Sequence, residues 1–226
     1  YKNMEYKEAC ELAKQGKLPN EFNDWRMGDE NGWTVGHVAA EHGHLPPDYK
    51  QWALANKTGW TVAHEVANAG LLPERFNEWA LADKFGFTVA HIAARRGVLP
   101  STYKEWEIAS NNGITVAHTA AKSGHLPEGF KEWELADKTG WTVAHEAARS
   151  GHLPTDFEMW NLKNKDGESV LDIALSKGTI SKLKYQFLAL YEAINESKKT
   201  KGKNTQKEEI YRKLLRHWKD MGDRHE

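Results

Sequence analysis

The chain has 226 residues, a formal net charge of −1 and 28% charged side chains, which excludes both a chain held to nucleic acid by overall charge and an acidic mimic of one. The charge is unevenly placed: from Thr179 onward 12 Lys/Arg face 7 Asp/Glu, a net of +5 that leaves −6 on the preceding residues. No stretch is apolar enough to span a membrane, and the single cysteine, Cys10, excludes an internal disulfide and points to a reducing, cytoplasmic compartment.

A fixed interval organises the sequence. Glycines stand 27 residues apart at Gly32, Gly59, Gly86, Gly113, Gly140 and Gly167, and a second series runs from Gly16 through Gly43, Gly70, Gly97, Gly124 and Gly151 to Gly178. Such a period marks a tandem repeat, whose stacked units share one continuous core. Residues 1–28 read as an N-terminal cap, a unit without its front half in which Cys10 stands at the position later held by histidine. A terminal unit meets water on one face and is expected to be atypical.

Five complete units follow over residues 29–163, each with Thr-Val-Ala/Gly-His: Thr34–His37, Thr61–His64, Thr88–His91, Thr115–His118 and Thr142–His145. The threonine predicts a helix N-cap, the alanines after the histidine continue the first helix, and the glycine ends it in the left-handed region. The Leu-Pro step, as in Leu153-Pro154, predicts a short second helix of about two turns, carrying aromatic pairs such as Phe157/Trp160 on one face. Residues 164–196 form a worn C-terminal cap in which Asp172 replaces the histidine and Glu168 the loop aromatic. Its second helix is expected to extend to about Asn195, through Leu183, Phe187, Leu190, Tyr191 and Ile194. Residues 197–226 read as a Lys-rich linker and an amphipathic C-terminal helix carrying Ile210, Tyr211, Leu214, Leu215 and Trp218. The chain begins at Tyr1 without a methionine, so a removed signal peptide stays open.

The motif Gly-x-Thr-Val-Ala-His-x-Ala-Ala-x-x-Gly-His-Leu resembles the ankyrin repeat, over roughly residues 5 to 190. Val-Ala replaces that family's usual Pro-Leu, and the period is about six residues shorter than its 33. The resemblance implies an all-α, ankyrin-like helical solenoid without cofactors, working as a monomer in protein–protein interaction. It also implies that His37, His64, His91, His118 and His145 are structural, each bonding its own turn and the neighbouring unit's loop. Stacked helices lie about 8–10 Å apart, so equivalent histidines cannot share one zinc ion. No phosphate-binding loop, nucleophile elbow or His-Glu-x-x-His sequence is present, so enzyme activity is not expected.

The aromatic residues form two series. Trp25, Trp52, Trp79, Trp106, Trp133 and Trp160 recur in every unit and read as core. Trp33, Trp60, Phe87, Ile114 and Trp141 follow the loop glycine and vary. By the resemblance they lie beside a concave face shared with the residues ending the first helix: Glu41/His42, Asn68/Ala69, Arg95/Arg96, Lys122/Ser123 and Arg149/Ser150. Either that face binds a partner protein, or the loop residues fold down over the space left by the shortened repeat. A second reading, a nucleic-acid or anionic-surface binder, would use Arg95, Arg96, Arg149 and the basic C-terminal tail.

Overall fold

The computed structural model describes residues 4–177 together with 212, 213 and 216. Among these, every regular element but the few residues of the C-terminal tail is one of seven α-helices, one per unit. They are α1 (Tyr6–Gln15), α2 (Val35–Glu41), α3 (Val62–Asn68), α4 (Val89–Arg96), α5 (Val116–Ser123), α6 (Val143–Ser150) and α7 (Val170–Ser176). No strand forms among the described residues; isolated antiparallel bridges such as Ala55–Thr61 and Ala82–Thr88 pin each loop to its helix. The chain divides into two compact units, residues 1–128 and 129–226. In the first, each helix from α1 to α5 packs on the next; in the second, α6 packs on α7. Arg212, Lys213 and Arg216 are helical, while the rest of the expected extended helix, linker and C-terminal stripe lies outside the described residues.

Helices of seven or eight residues are too short to persist alone, and each is held by complete capping at its start. In α4 the Val89 and Ala90 N–H groups donate to the carbonyls of Leu81 (2.9 Å) and Trp79 (3.2 Å). The third, His91 N–H, donates to Thr88 Oγ1, while the Thr88 N–H donates to the His91 ring. The same arrangement opens α2, α3 and α5. At the other end a left-handed glycine closes α4, α5 and α6, as at Gly97 with φ +72°.

The expected second helix does not form. Its place is taken by two single turns, for example Phe76 N–H to Pro73 O and Leu81 N–H to Glu78 O. The reason lies in the carbonyls. Those of Trp79 and Leu81 are turned to the first N–H groups of α4, so a helix through this segment would claim both carbonyls for its own N–H groups and leave those of Val89 and Ala90 without acceptors. The i, i+3 aromatic spacing, which reads as a helix face, instead joins the turns into a ladder of edge-to-face rings. In the first unit it runs Phe22, Trp25, Tyr49, Trp52, Phe76, Trp79, Tyr103, Trp106, with centroids 4.9–6.2 Å apart. In the second it runs Phe130, Trp133, Phe157, Trp160 at 5.0–5.2 Å. Each such pair contributes about 0.5–1.5 kcal/mol beyond its area burial. Trp25, Trp106, Trp133 and Trp160 are buried, whereas Trp52 and Trp79 are half-buried.

Candidate functional site

The loops that carry the variable aromatics are built by one residue each. Asp83 Oδ1 accepts from the Phe85 and Phe87 N–H groups at 2.9 and 3.0 Å, and Asn56 and Asp137 do the same for Trp60 and Trp141. Successive loops join through the backbone: Lys57 N–H reaches Asn31 O, Lys84 N–H reaches Thr58 O and Asn111 N–H reaches Phe85 O, at 2.9–3.0 Å. Gly59 is obligatory here for two reasons. Its φ is +79°, and a Cβ would stand 2.8 Å from the Lys84 backbone nitrogen.

The histidines bind one unit to the next. His37 Nε2 lies 2.8 Å from Trp60 O, His64 Nε2 2.9 Å from Phe87 O and His91 Nε2 2.8 Å from Ile114 O. In the second unit His145 Nε2 lies 2.8 Å from Glu168 O. A carbonyl can only accept, so Nε2 carries the proton and Nδ1 offers its lone pair to the threonine. At His91 that lone pair receives the Thr88 N–H at 3.0 Å and faces Thr88 Oγ1 at 2.8 Å. For His37, His64, His91 and His145 burial pushes the pKa below the ordinary imidazole value, against the opposing pull of the carbonyl bond. His118 is buried and makes the same contacts with Thr115. With both nitrogens committed, His37, His64, His91 and His145 keep no lone pair for a metal.

The two caps reach the same end by other chemistry. Cys10 is buried and its thiol is pushed up by burial, which leaves little thiolate for nucleophilic chemistry. Tyr6 takes over the bridging role instead, its hydroxyl donating to Trp33 O at 2.7 Å. In α7 Asp172 completes the cap with Ser169. Burial works against its ionisation, but the Ser169 hydrogen bonds and the nearby Lys213 and Lys163 charges hold its pKa below the usual carboxylate value.

Trp33, Trp60, Phe87, Ile114 and Trp141 are all half-buried. Trp33 and Trp60 lie against His37 and His64 with ring centroids 4.7 and 4.8 Å apart. The indole N–H of Trp60 donates to Glu65 Oε2 at 2.7 Å, and that of Trp141 to Glu146 Oε2 at 2.7 Å. Both carboxylates are buried, at 8% and 5% exposure. Burial raises the Glu65 pKa and the Glu41 charge adds to it, while the Trp60 bond lowers it. Sequence reading passed over Glu65 and Glu146. The available signal was their coincidence with tryptophan five residues earlier; the other units pair Trp33, Phe87 and Ile114 with Val38, Ile92 and Thr119.

Of the residues ending the helices, Glu41, His42, Asn68, Arg95, Arg96, Lys122 and Arg149 are exposed, and Ala69, Ser123 and Ser150 are half-buried. In the first unit Arg95 reaches back to Asn68 Oδ1 at 2.8 Å, one turn along α3 from the Trp60–Glu65 pair, and the Glu41 charge acts on Glu65. His42 folds onto its own helix at Val38 O, and Arg96 is exposed. In the second unit Arg149 pairs with Glu146 and lies 4.9 Å over the Trp141 ring. Glu146 Oε1 is buried without a hydrogen-bond partner. No group of three or more His, Cys, Asp or Glu among the described residues could hold a metal ion, and no described helix is long and apolar enough to cross a membrane. No protein-family model matches the chain, and no curated protein matches it.

Proposed function

We propose that the chain is an ankyrin-like, non-enzymatic protein-interaction module that binds a partner protein through its loop-aromatic face. The observation that carries this reading is the state of Trp60 and Trp141. Each indole is fixed by its own buried carboxylate and by a tilted ring contact with its histidine, yet leaves part of the ring exposed. A large aromatic held rigid at a surface loses little entropy on binding and is a common anchor. Exposed charge beside it, from Arg95 and Arg96 in the first unit and Arg149 in the second, gives the rim that sets orientation. Units differ at these positions while the capping residues repeat, which is how repeat arrays acquire specificity.

The test is affinity purification on the full chain, followed by calorimetric titration of the retained protein. Trp60→Ala and Trp141→Ala should each weaken binding by about 2 kcal/mol, or thirtyfold. Unchanged affinity in both variants would remove the loop face from recognition. A nucleic acid as the retained species, with affinity falling by orders of magnitude between about 50 and 200 mM salt, would favour the basic-surface reading through Arg95, Arg96, Arg149 and the tail.

A further inference from the structure

Two of the complete repeats combine a loop tryptophan with a glutamate five residues later, and one side chain beside the pair differs between them. In the second compact unit Trp141 donates to Glu146, and Arg149 closes the pair: its guanidinium bonds Glu146 Oε2 and lies 4.9 Å over the Trp141 ring. Indole and buried carboxylate thus hold one guanidinium between them, supplied by the same helix, α6. In the first compact unit Trp60 and Glu65 repeat the arrangement, with the same 2.7 Å bond from indole N–H to Oε2 and a similar tilted contact with the histidine. The residue at the place of Arg149 is Asn68, the last of α3. It carries no charge, and its oxygen accepts from Arg95.

The charge of Glu65 is left unanswered. Among the described residues the ion pairs are Lys14–Glu11 and Arg149–Glu146, and neither involves Glu65 or Glu41. The helices packed on α3 are α2 and α4. From α2, Glu41 adds a second negative charge and acts together with burial to push the Glu65 carboxyl pKa up; His42, next to Glu41, is turned to Val38 O. From α4, Arg95 is turned to Asn68. A carboxylate 8% exposed, with a like charge for a neighbour, is costly to keep ionised without a counter-ion. Trp60 is half-buried, and Glu41 and Asn68 are exposed, so the ring and its rim are reachable from solvent.

We propose that the Trp60–Glu65 pair receives the guanidinium of an arginine side chain from the partner protein, in the place that Arg149 fills for Trp141 and Glu146. The proposal rests on the loop-aromatic face being the recognition surface, and adds the chemistry which that face selects. A guanidinium is planar, so it can lie over the indole while donating to the carboxylate; the compact ammonium of lysine stacks less well. Glu41 favours a cation over a neutral donor. The Trp141 copy is already filled from its own helix.

The probe is arginine capped as its N-acetyl methylamide, titrated at millimolar concentration and constant ionic strength into the ¹⁵N-labelled full chain, with the indole N–H resonances followed by NMR. The Trp60 N–H donates to Glu65 directly, so a saturable Trp60 shift with Trp141 unmoved is expected. The capped lysine should bind about two- to fivefold more weakly, the contribution of an exposed cation–π contact, and the uncharged citrulline analogue should leave Trp60 unmoved. Asn68→Arg should fill the first site from its own helix and abolish the Trp60 response, while Arg149→Asn should open the second and give Trp141 a response. Glu65→Gln, which keeps an acceptor for the indole, should also abolish the Trp60 response. No saturable Trp60 shift, equal binding of the lysine or citrulline analogue, an unchanged response in Asn68→Arg or Glu65→Gln, or a folded Arg149→Asn chain whose Trp141 stays still would each overturn the proposal. Loss of partner affinity in Trp60→Ala with no arginine response at Trp60 would leave the loop face standing and remove the arginine. An arginine response at Trp60 with partner affinity unchanged in both Trp60→Ala and Trp141→Ala would remove the loop face from recognition, and with it the partner as the source of the arginine.

Discussion

Replacing His91 by leucine tests how the units are joined. The ring is 1% exposed, and leucine fills comparable space, so the change removes hydrogen bonds with little cavity. Three contacts disappear: Thr88 N–H to Nδ1, Thr88 Oγ1 to Nδ1, and Nε2–H to Ile114 O. They are not equivalent. Ile114 O also accepts from Ser110 N–H at 2.8 Å, and Thr88 Oγ1 still accepts from the residue 91 N–H. The Thr88 N–H loses its acceptor inside a buried turn, at a cost of about 1–3 kcal/mol, while the lost carbonyl bond contributes about 0.5–1.5 kcal/mol. The added apolar burial offsets part of this, leaving a net loss of about 2–3 kcal/mol. Urea unfolding followed by tryptophan fluorescence measures it, with the denaturant slope expected to match that of the parent. A loss below about 0.5 kcal/mol would refute the reasoning, because the bridge would then be replaceable by packing alone.

Three further perturbations follow from the same geometry. Acid should destabilise the fold: the folded-state pKa values of His37, His64, His91 and His145 are lowered, so stability present above the unfolded reference of about 6.5 is lost as pH falls below it toward the folded values. A melting temperature flat between about pH 7.5 and 5 would contradict this, and His91→Leu should show a shallower decline than the parent. Trp106→Ala, at a ring 9% exposed, should cost about 3–5 kcal/mol, whereas Trp60→Phe keeps the stacked ring, deprives Glu65 of its donor and should cost about 1–2 kcal/mol; equal costs in urea melts would make the loop rings core. Gly59→Ala should lose more than the roughly 1–2 kcal/mol of a left-handed alanine, because of the 2.8 Å approach of the Lys84 nitrogen. Gly129→Ala, at φ +78° with nothing within 4 Å, should show the backbone cost alone in the same thermal melts.

The repeat, the N-capping threonines and the helix-ending glycines were legible in the amino-acid sequence, because each rests on chemistry within a few residues. Thr88 and His91 are three positions apart and complete their cap within one turn. Gly97 takes a backbone conformation that few other residues tolerate. The pairing of Trp60 with Glu65 was present as a spacing but carried no sign of burial. Glutamate on a short helix reads as solvated, and only the packing of neighbouring helices places this one at 8% exposure.

The segment after each Leu-Pro step shows where local reading ends. Phe76 and Trp79 at i, i+3 suit one face of a helix and suit two successive turns equally well, since both arrangements bring such residues to one side. The choice rests on where the carbonyls of Trp79 and Leu81 find donors. Those donors are the first N–H groups of α4, eight to eleven residues further along the chain. Sequence determined which residues repeat and how each helix begins. Tertiary structure decided that the second half of each of the five complete units is turned rather than helical, because a backbone acceptor goes to the donor that folding brings near, and that donor lies outside the reach of any local pattern.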